Sequence, residues 1–284
     1  MIANRLYNEA KKHFGVCVGL DTDISYVPNC IAKKDISNGE KIFEFNKAII
    51  DAVSEESACF KVQIAYYEAL GLEGLSAYAQ TLKYIKAKGK ISIADIKRGD
   101  ISATAKKYAD AHFTGDFEAD YVTLNAYMGE DAISPYYDYF KNRDKGAFVL
   151  VKTSNPSGVD FQDIKVSDAR LYEMVGEKLN EWGKQFIDES GYSSIGAVVG
   201  LTYPEEFISL LPKMNSTFFL IPGYGAQGGT GEDIAKIFKN DFCGVVNSSR
   251  GIIASHIKNN IDEGFAQEAL TKVKLMKEDI SKWL

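Results

Sequence analysis

The sequence predicts an α/β fold, a (β/α)8 TIM barrel, in which residues 1–284 form a single domain. Three observations support this prediction. Eight short apolar runs recur along the chain, longer amphipathic segments lie between them, and 284 residues are enough for eight strand-and-helix units. Barrels of this class typically contain about 250 residues. A doubly wound sheet is the alternative that these observations leave open.

The apolar runs are predicted to be parallel strands. Each is almost continuously apolar, which is typical of strands that are covered on both faces, whereas a sheet with one face in water alternates apolar and polar residues. In chain order the runs are 14–20, 59–64, 91–96, 121–126, 147–153, 197–202, 218–222 and 243–248.

The segments between the strands are predicted to be helices. Residues 169–187 carry apolar side chains at spacings of three and four, which places them on one face of a helix, and segments 41–53 and 73–88 show a similar pattern. The longest interval between strands follows the fifth one, so residues 158–170 are predicted to be an insertion or a lid. No linker rich in Pro, Ser or Gly divides the chain, which favours one domain.

The composition argues against several classes of protein. The net charge is -6 and no block of Lys and Arg stands apart, so neither nucleic acid nor an anionic membrane is expected as a partner. No apolar run approaches the ~20 residues of a membrane span, and a cytoplasmic location is predicted. The cysteines are far apart, so no disulfide framework or zinc site is predicted, and those within apolar runs are expected to be buried. They are Cys17, Cys30, Cys59 and Cys243.

Charged residues end several of the predicted strands. In a barrel of this class the carboxyl ends of the strands form the active-site face, so these side chains are expected to meet at one mouth. They are Asp21 after the first strand, Lys61 in the second, Asp95, Lys97 and Asp100 at the third, and Lys152-Thr153-Ser154 at the fifth.

The segment ADIKRGDI (94–101) is the most informative of these. Asp95 and Lys97 are two residues apart, so they project to the same side of a strand, and the turn after Lys97 can fold Asp100 back toward them. Lys61 from the neighbouring strand would extend the set to alternating charges. Such a cluster can destabilise a substrate anion, stabilise a developing carbanion and deliver a proton. The alternative is a structural ion-pair network at the end of a strand.

A second group of residues lies near the C-terminus. The Gly-rich segment PGYGAQGGTGED (222–233) follows the seventh strand, and VVNSSRGI (245–252) closes the eighth. Loops at these positions form the usual phosphate site of such barrels. Backbone amides in the glycine-rich loop, Gln227 and Arg250 could bind phosphate oxygens, so a phosphorylated ligand is predicted. The alternative is a flexible surface loop with a surface arginine.

The motifs that the sequence lacks narrow the chemistry further. His13, His112 and His256 are the only histidines, and none ends a predicted strand, so no base for a Ser-His-Asp or Cys-His mechanism is expected. Each is predicted to be an ordinary surface or helix residue. No Walker-type motif is present, and the Gly-rich segment does not follow the first strand as in dinucleotide-binding folds. No redox cofactor is expected.

These motifs together resemble the orotidine 5′-phosphate decarboxylase family. The KRGDI variant, the chain length and the long stretch after the fifth strand are similar to the longer bacterial branch of that family. The matching segments are GLDTD (19–23), FKVQ (60–63), ADIKRGDI (94–101), KTSNPSG (152–158), PGYGAQGG (222–229) and SSRGI (248–252).

The resemblance implies decarboxylation of orotidine 5′-phosphate (OMP) to UMP and CO₂, the last step of de novo UMP biosynthesis, with no cofactor and no metal. It implies a homodimer in which Asp100 and Thr104 reach the partner's site. Lys97 would protonate C6 of the pyrimidine and Asp95 would crowd the carboxylate. The implied catalytic residues are Lys61, Asp95, Lys97 and Asp100, and the implied substrate-binding residues are Asp21, Ile101, Thr104, Ser154, Gln227, Arg250 and Gly251.

Two other functions remain open at this point. One is a Mg²⁺-dependent sugar-phosphate decarboxylase or aldolase of the same superfamily, in which the acidic residues would bind the metal. The other is a barrel that binds phosphorylated metabolites without catalysis. Such a protein would use Arg250 and Gln227 but has no need of Lys97 between two acids.

Overall fold

The computed structural model describes residues 1–202, 204–225 and 228–284, and its strands form a closed barrel. All neighbouring barrel strands are parallel, in the order β1-β10-β9-β8-β5-β4-β3-β2. The predicted (β/α)8 barrel is confirmed. The barrel strands are β1 (Val16–Gly19), β2 (Cys59–Gln63), β3 (Ile91–Arg98), β4 (Tyr121–Leu124), β5 (Gly146–Lys152), β8 (Ile195–Val199), β9 (Phe219–Pro222) and β10 (Gly244–Ser248), and the short β6 (Lys165–Val166) and β7 (Ala169–Arg170) form a separate antiparallel hairpin.

Helices connect the strands around the barrel. The segments predicted at 41–53 and 73–88 are helical, as parts of α3 and α5. The helices are α1 (Ile2–Lys12), α2 (Asn29–Ala32), α3 (Asn38–Val53), α4 (Ile64–Glu68), α5 (Gly71–Ala87), α6 (Ser102–Phe113), α7 (Tyr137–Asn142), α8 (Leu171–Gly183), α9 (Pro204–Leu210), α10 (Gly231–Phe238), α11 (Arg250–Ile253), α12 (Ser255–Lys258) and α13 (Phe265–Ser281).

The segment after β5 is an excursion from the barrel. It consists of a 3₁₀ turn at Pro156–Asp160 and the β6–β7 hairpin, and it returns to the barrel through α8. The helix predicted at 169–187 therefore begins two residues late, because Ala169 and Arg170 pair with Val166 and Lys165 in the hairpin.

Large aromatic side chains on some barrel strands lie against glycines on the next strand. Tyr121 on β4 is paired with Gly146 on β5, where a Cβ atom would lie 2.3 Å from the tyrosine ring. Phe148 is paired with Gly196 in the same way, and a Cβ atom there would lie 2.7 Å from the ring. The two rings stack with centroids 4.9 Å apart. Pairing large side chains with glycines fills the interior without strain.

The buried positions include all three cysteines for which burial was predicted. Cys17, Cys59 and Cys243 are buried, Cys30 is half-buried, and all four thiols are free. The described helices include none that is long and apolar enough to cross a membrane.

The histidines are not surface residues. His13, at the end of α1, His112 on α6 and His256 on α12 are each at most 3% exposed. The part of the prediction that allowed a surface position is wrong. Since an unperturbed histidine gains its charge near pH 6.5, these buried side chains affect how stability depends on pH.

We expect His112 to make the protein less stable as the pH falls from about 6.5 to about 4. Burial, assisted by the nearby charge of Arg98, lowers the pKa of His112 from 6.5 to about 4. In this window the unfolded chain binds a proton that the folded chain does not, so acid favours unfolding by on the order of 2 kcal/mol. Urea unfolding near neutral pH and near pH 4.5 measures this loss. The loss should be smaller in His112→Gln, and an equal loss in the variant would contradict the assignment.

Candidate active site

Charged side chains at the carboxyl ends of neighbouring strands form one ion-paired cluster. The Nζ atom of Lys61 on β2 lies 3.0 Å from Oδ2 of Asp95 on β3, and Nζ of Lys97 lies 2.6 Å from Oδ1 of the same aspartate. Asp21, which follows β1, joins the cluster because its Oδ1 lies 2.9 Å from Nζ of Lys61. The structure thus brings together four residues that the sequence predicted at strand ends, with alternating charge.

Asp95 lies at the centre of this cluster. Besides the two lysines, its carboxylate accepts hydrogen bonds from Nε2 of Gln63 over 2.9 Å and from Oγ1 of Thr123 over 2.8 Å. Burial alone would raise the pKa of Asp95, but the charges of Lys61 and Lys97 outweigh burial and hold this pKa well below its usual range. Asp95 therefore remains a fixed negative charge.

Lys61 is a buried positive charge that holds two carboxylates in place. Its side chain is only 6% exposed. Burial alone would lower the pKa of Lys61, but Asp95 and Asp21 raise it above its usual value. Lys61 is therefore a permanently protonated support for the cluster.

Lys97 reaches the cluster from an unusual backbone conformation. Its φ angle is +46°, and the register of β3 with β4 shifts between Ala94 and Arg98, so Lys97 lies at a bulge. The Lys97 N–H donates to Oγ1 of Thr123 over 2.9 Å. Strain of this kind costs roughly 1–3 kcal/mol and is retained where the surroundings fix it, often at functional sites. The lysine side chain is 46% exposed, whereas that of Asp95 is 7% exposed.

The charged cluster lines a cavity of 370 Å³ that extends to Arg250. Arg250 begins α11 directly after β10, and Gly223 and Tyr224 from the loop after β9 line the same cavity. The predicted anion-binding arginine and the predicted charged cluster therefore face one space.

A smaller cavity of 170 Å³ adjoins the cluster on another side. Lys61, Asp95 and Lys97 line both cavities, whereas Ser154 lines only the smaller one. The other walls of the smaller cavity are partly apolar, with Leu150 and Leu220 among them. This combination of apolar walls and polar groups is typical of a site for a small organic molecule.

The Gly-rich loop after β9 is built on a short backbone ladder. Gly225 N donates to Gly229 O over 2.9 Å, and Gly229 N donates to Gly223 O over 3.2 Å. Gly223 has a φ of +115° and Gly225 a φ of +68°, conformations that favour glycine. Gln227, predicted to bind phosphate, lies outside the described residues.

The remaining predicted binding residue at this end is Gly251. It is exposed and lines a groove of 870 Å³ between α11 and α13, which Arg250 also lines. In the described part of the chain it does not line the cavity that contains the charged cluster.

Asp100 does not fold back toward the lysines of its own chain. Its carboxylate accepts a hydrogen bond from the neighbouring Ile101 N–H over 2.8 Å. Within the described residues Asp100 forms no ion pair and lines neither cavity. The expectation that a turn returns it to the cluster is wrong, because the chain runs on from Gly99 into α6. Ile101 and Thr104 are exposed beside it.

Comparison with known proteins places this arrangement in a family. Residues 15–260 match the model described as the Orotidine 5′-phosphate decarboxylase / HUMPS family. The orotidine 5′-phosphate decarboxylase of Clostridium tetani is 51% identical over 281 residues, which cover 99% of this chain and 98% of the relative. That of Clostridium kluyveri is 53% identical over 266 residues, or 93% of this chain and 91% of the relative.

The chain belongs to the orotidine 5′-phosphate decarboxylase family. Solved structures with similar names superpose on this chain over nearly its whole length. The OMP decarboxylase of Leishmania donovani superposes with a TM-score of 0.75 at 27% identity, covering 98% of this chain and 99% of the other. The UMP synthase of the same organism superposes with a TM-score of 0.81 at 29% identity, and the match covers 99% of this chain but 56% of that longer protein.

Two polar residues of this orotidine 5′-phosphate decarboxylase family member were not predicted as site residues. Thr123 on β4 bonds both Asp95 and the backbone of Lys97, and Gln63 on β2 bonds Asp95. Gln63 ends the FKVQ segment and could have been found as the polar end of a strand. Threonine is common within strands, so Thr123 carried no such signal.

The described residues contain no group of three or more His, Cys, Asp or Glu side chains that could hold a metal ion. Independence from metals and cofactors stays a prediction.

Proposed function

We propose that this chain converts OMP to UMP and CO₂ without a cofactor, and that Lys97 supplies the proton that replaces the departing carboxylate. The observation that supports this proposal best is the single cavity that joins Lys97 and Asp95 to Arg250. The two clostridial relatives named above are orotidine 5′-phosphate decarboxylases, and this chain matches almost their whole length. The predicted enzyme class and reaction are therefore confirmed. The sugar-phosphate enzyme and the non-catalytic barrel gain no support.

The chemistry follows from the fixed charge of Asp95. A substrate carboxylate placed beside this anion is destabilised relative to the transition state, in which the carboxylate is becoming neutral CO₂. The bond from C6 to the carboxylate breaks, and its electron pair stays on C6. The Lys97 ammonium stabilises that charge and then gives C6 a proton, so lysine acts as the general acid.

The other end of the cavity would hold the phosphate. Arg250 can donate two parallel hydrogen bonds to phosphate oxygens, and the glycine-rich loop allows backbone amides to approach them. Gln227 and Gly251 are proposed as further phosphate ligands. Binding at this remote group can be used to stabilise the transition state at C6.

The central part of the substrate would lie between these ends. We assign Asp21 to the ribose hydroxyls, with Lys61 supporting it through their 2.9 Å contact. Ser154 is assigned to the pyrimidine because it lines the smaller cavity next to Lys97.

We also propose that the site is completed by a second copy of the chain. Asp100 and Thr104 lie outside their own cavity, on a face that exposes apolar side chains. Ile101 is 45% exposed, and Tyr127, on the adjacent loop after β4, is 87% exposed. A homodimer would bury these side chains and bring Asp100 to the partner's Lys97.

The proposal takes residues 1–284 as a single domain, and a cytoplasmic location stays a prediction.

The proposed function is tested by following the ultraviolet absorbance of OMP with purified protein in the presence of a chelator. We expect conversion to UMP that is unaffected by removing divalent metals. A folded protein that consumes no OMP, or does so only after Mg²⁺ is added, would contradict the proposal.

Replacing Arg250 by alanine is expected to weaken binding of phosphorylated ligands by roughly 10- to 100-fold, since hydrogen bonds to charged groups contribute about 1.5–3 kcal/mol. Calorimetric titration with UMP measures this effect. Lys236→Ala removes a positive charge from the exposed face of α10, where Lys236 pairs with Glu232, and serves as the control. Equal affinity for UMP in Arg250→Ala and the parent would rule out the phosphate role.

A further inference from the structure

The excursion after β5 holds one wall of the smaller cavity through the side chain of Gln162. Its Oε1 accepts a hydrogen bond from Thr153 N over 2.9 Å, and its Nε2 donates to Thr153 Oγ1 over 2.7 Å. Thr153 and Ser154 both line the 170 Å³ cavity. The amide of Gln162 therefore holds Thr153, the residue immediately before Ser154, by its backbone N–H and by its side-chain hydroxyl.

Gln162 is held in turn by its own backbone. Its N–H donates to Gly158 O over 2.8 Å, and its carbonyl accepts from Tyr172 N over 3.0 Å. Tyr172 lies in the first turn of α8 and is buried. The side chain of Gln162 thus extends from a fixed backbone, which reduces the entropy lost in forming both bonds.

A network of four charged side chains, of which Lys152 is buried and the other three are partly exposed, connects the same segment to the end of β5. Lys152 is 4% exposed and is ion-paired with Asp163, the residue after Gln162, and with Glu206 at 3.4 Å. Arg170 connects the two acids, at 2.8 Å from Glu206 and 3.8 Å from Asp163. Two positive and two negative charges thus balance, and the buried Lys152 has two carboxylates to compensate its charge. The excursion is therefore attached to the end of β5 at two consecutive residues, to Lys152 through Asp163 and to Thr153 through Gln162.

We propose that Gln162 is a positioning residue that determines specificity for the pyrimidine. By holding Thr153 it orients Ser154, and so it sets the affinity for the base while leaving the affinity for the phosphate unchanged. This inference rests on the proposed function, in which Ser154 contacts the pyrimidine. The separation of the two affinities follows from the geometry, because Arg250 lines the larger cavity and not the smaller one.

The test compares UMP with ribose 5-phosphate, which has the phosphate and sugar but no base. In Gln162→Ala we expect the Kd for UMP to rise about tenfold, because Ser154 is no longer held in position for the base, and the Kd for ribose 5-phosphate to stay unchanged. The KM for OMP should rise by a similar factor. Gln162→Glu keeps an acceptor for Thr153 N and should lose less affinity for UMP. Asp160→Ala, at an exposed position in the same excursion, is the matched control and should bind both ligands as the parent does.

The outcomes separate this inference from the proposed function. Unchanged affinity for UMP in Gln162→Ala would overturn the positioning role, and so would an equal loss for both ligands, which would indicate general disruption. A parent protein that does not consume OMP would contradict the proposed function instead. A parent that turns over OMP, together with a Gln162→Ala variant of parental UMP affinity, would overturn the inference alone.

Discussion

Replacing Lys97 by alanine is expected to lower kcat for OMP by at least about 10³-fold, in the range that general acid catalysis contributes. The variant loses the ammonium that lies 2.6 Å from Asp95 and faces the cavity, so the charge on C6 is neither stabilised nor neutralised by a proton. The affinity for UMP should change little, because Arg250 and the Gly-rich loop remain. Steady-state kinetics and calorimetric titration with UMP measure the two effects separately.

The control for Lys97→Ala is Lys178→Ala, which removes a lysine that is 63% exposed on α8 and paired with Glu181. It should keep parental kinetics. Near-parental kcat in Lys97→Ala would contradict the proton-donor role. A loss of UMP binding as large as the loss of kcat would show that Lys97 serves binding and not chemistry.

Replacing Asp100 by asparagine is expected to lower kcat by about 10²-fold or more, although Asp100 lines neither of the two cavities beside the charged cluster of its own chain. The reason is the proposed dimer, in which this carboxylate completes the charge cluster around the partner's Lys97. Kinetics with OMP and sedimentation of the variant as a dimer test this. Asp116→Asn, an exposed residue just beyond α6, is the control. An Asp100→Asn dimer with parental kcat would rule out the shared site.

The barrel could be predicted because parallel strands that are buried on both faces are almost continuously apolar, and each of the eight runs shows this pattern. The starts of strands were less predictable. β8 begins at Ile195, before the predicted run at 197, and includes Gly196, which looks like a strand breaker in sequence. Gly196 belongs to the strand because the ring of Phe148 occupies the space where its side chain would be. Such compensation across strands depends on register, which a single sequence does not reveal.

The charged part of the site could be predicted because its residues lie at the carboxyl ends of β1, β2 and β3, and barrel geometry makes these ends converge. The backbone conformation of Lys97 could not be predicted. The spacing of Asp95 and Lys97 suggested a regular strand, but Lys97 reaches Asp95 from a bulge held by Thr123. The position of Asp100 also depends on the path of the chain into α6, which the turn residues alone do not determine.

The contact between Gln162 and Thr153 shows the same limit. Residues 158–170 were predicted as an insertion or a lid from interval length alone, and nothing in that length identifies a side chain nine residues away that would hold the wall of a cavity. Contacts between side chains of an irregular segment are set by its folded path, and loop sequences constrain that path weakly.

The measurement that tests the shared site most directly is the activity of a mixture of two strongly impaired variants, Lys97→Ala and Asp100→Asn, unfolded together and refolded in equal amounts. In a mixed dimer one site combines an intact Lys97 with an intact Asp100 from the other chain. Random pairing makes half of the dimers mixed, so about a quarter of the sites, and of the parental activity, should return. Activity no higher than the average of the two variants, in a preparation shown to contain mixed dimers, would contradict a site built from two chains.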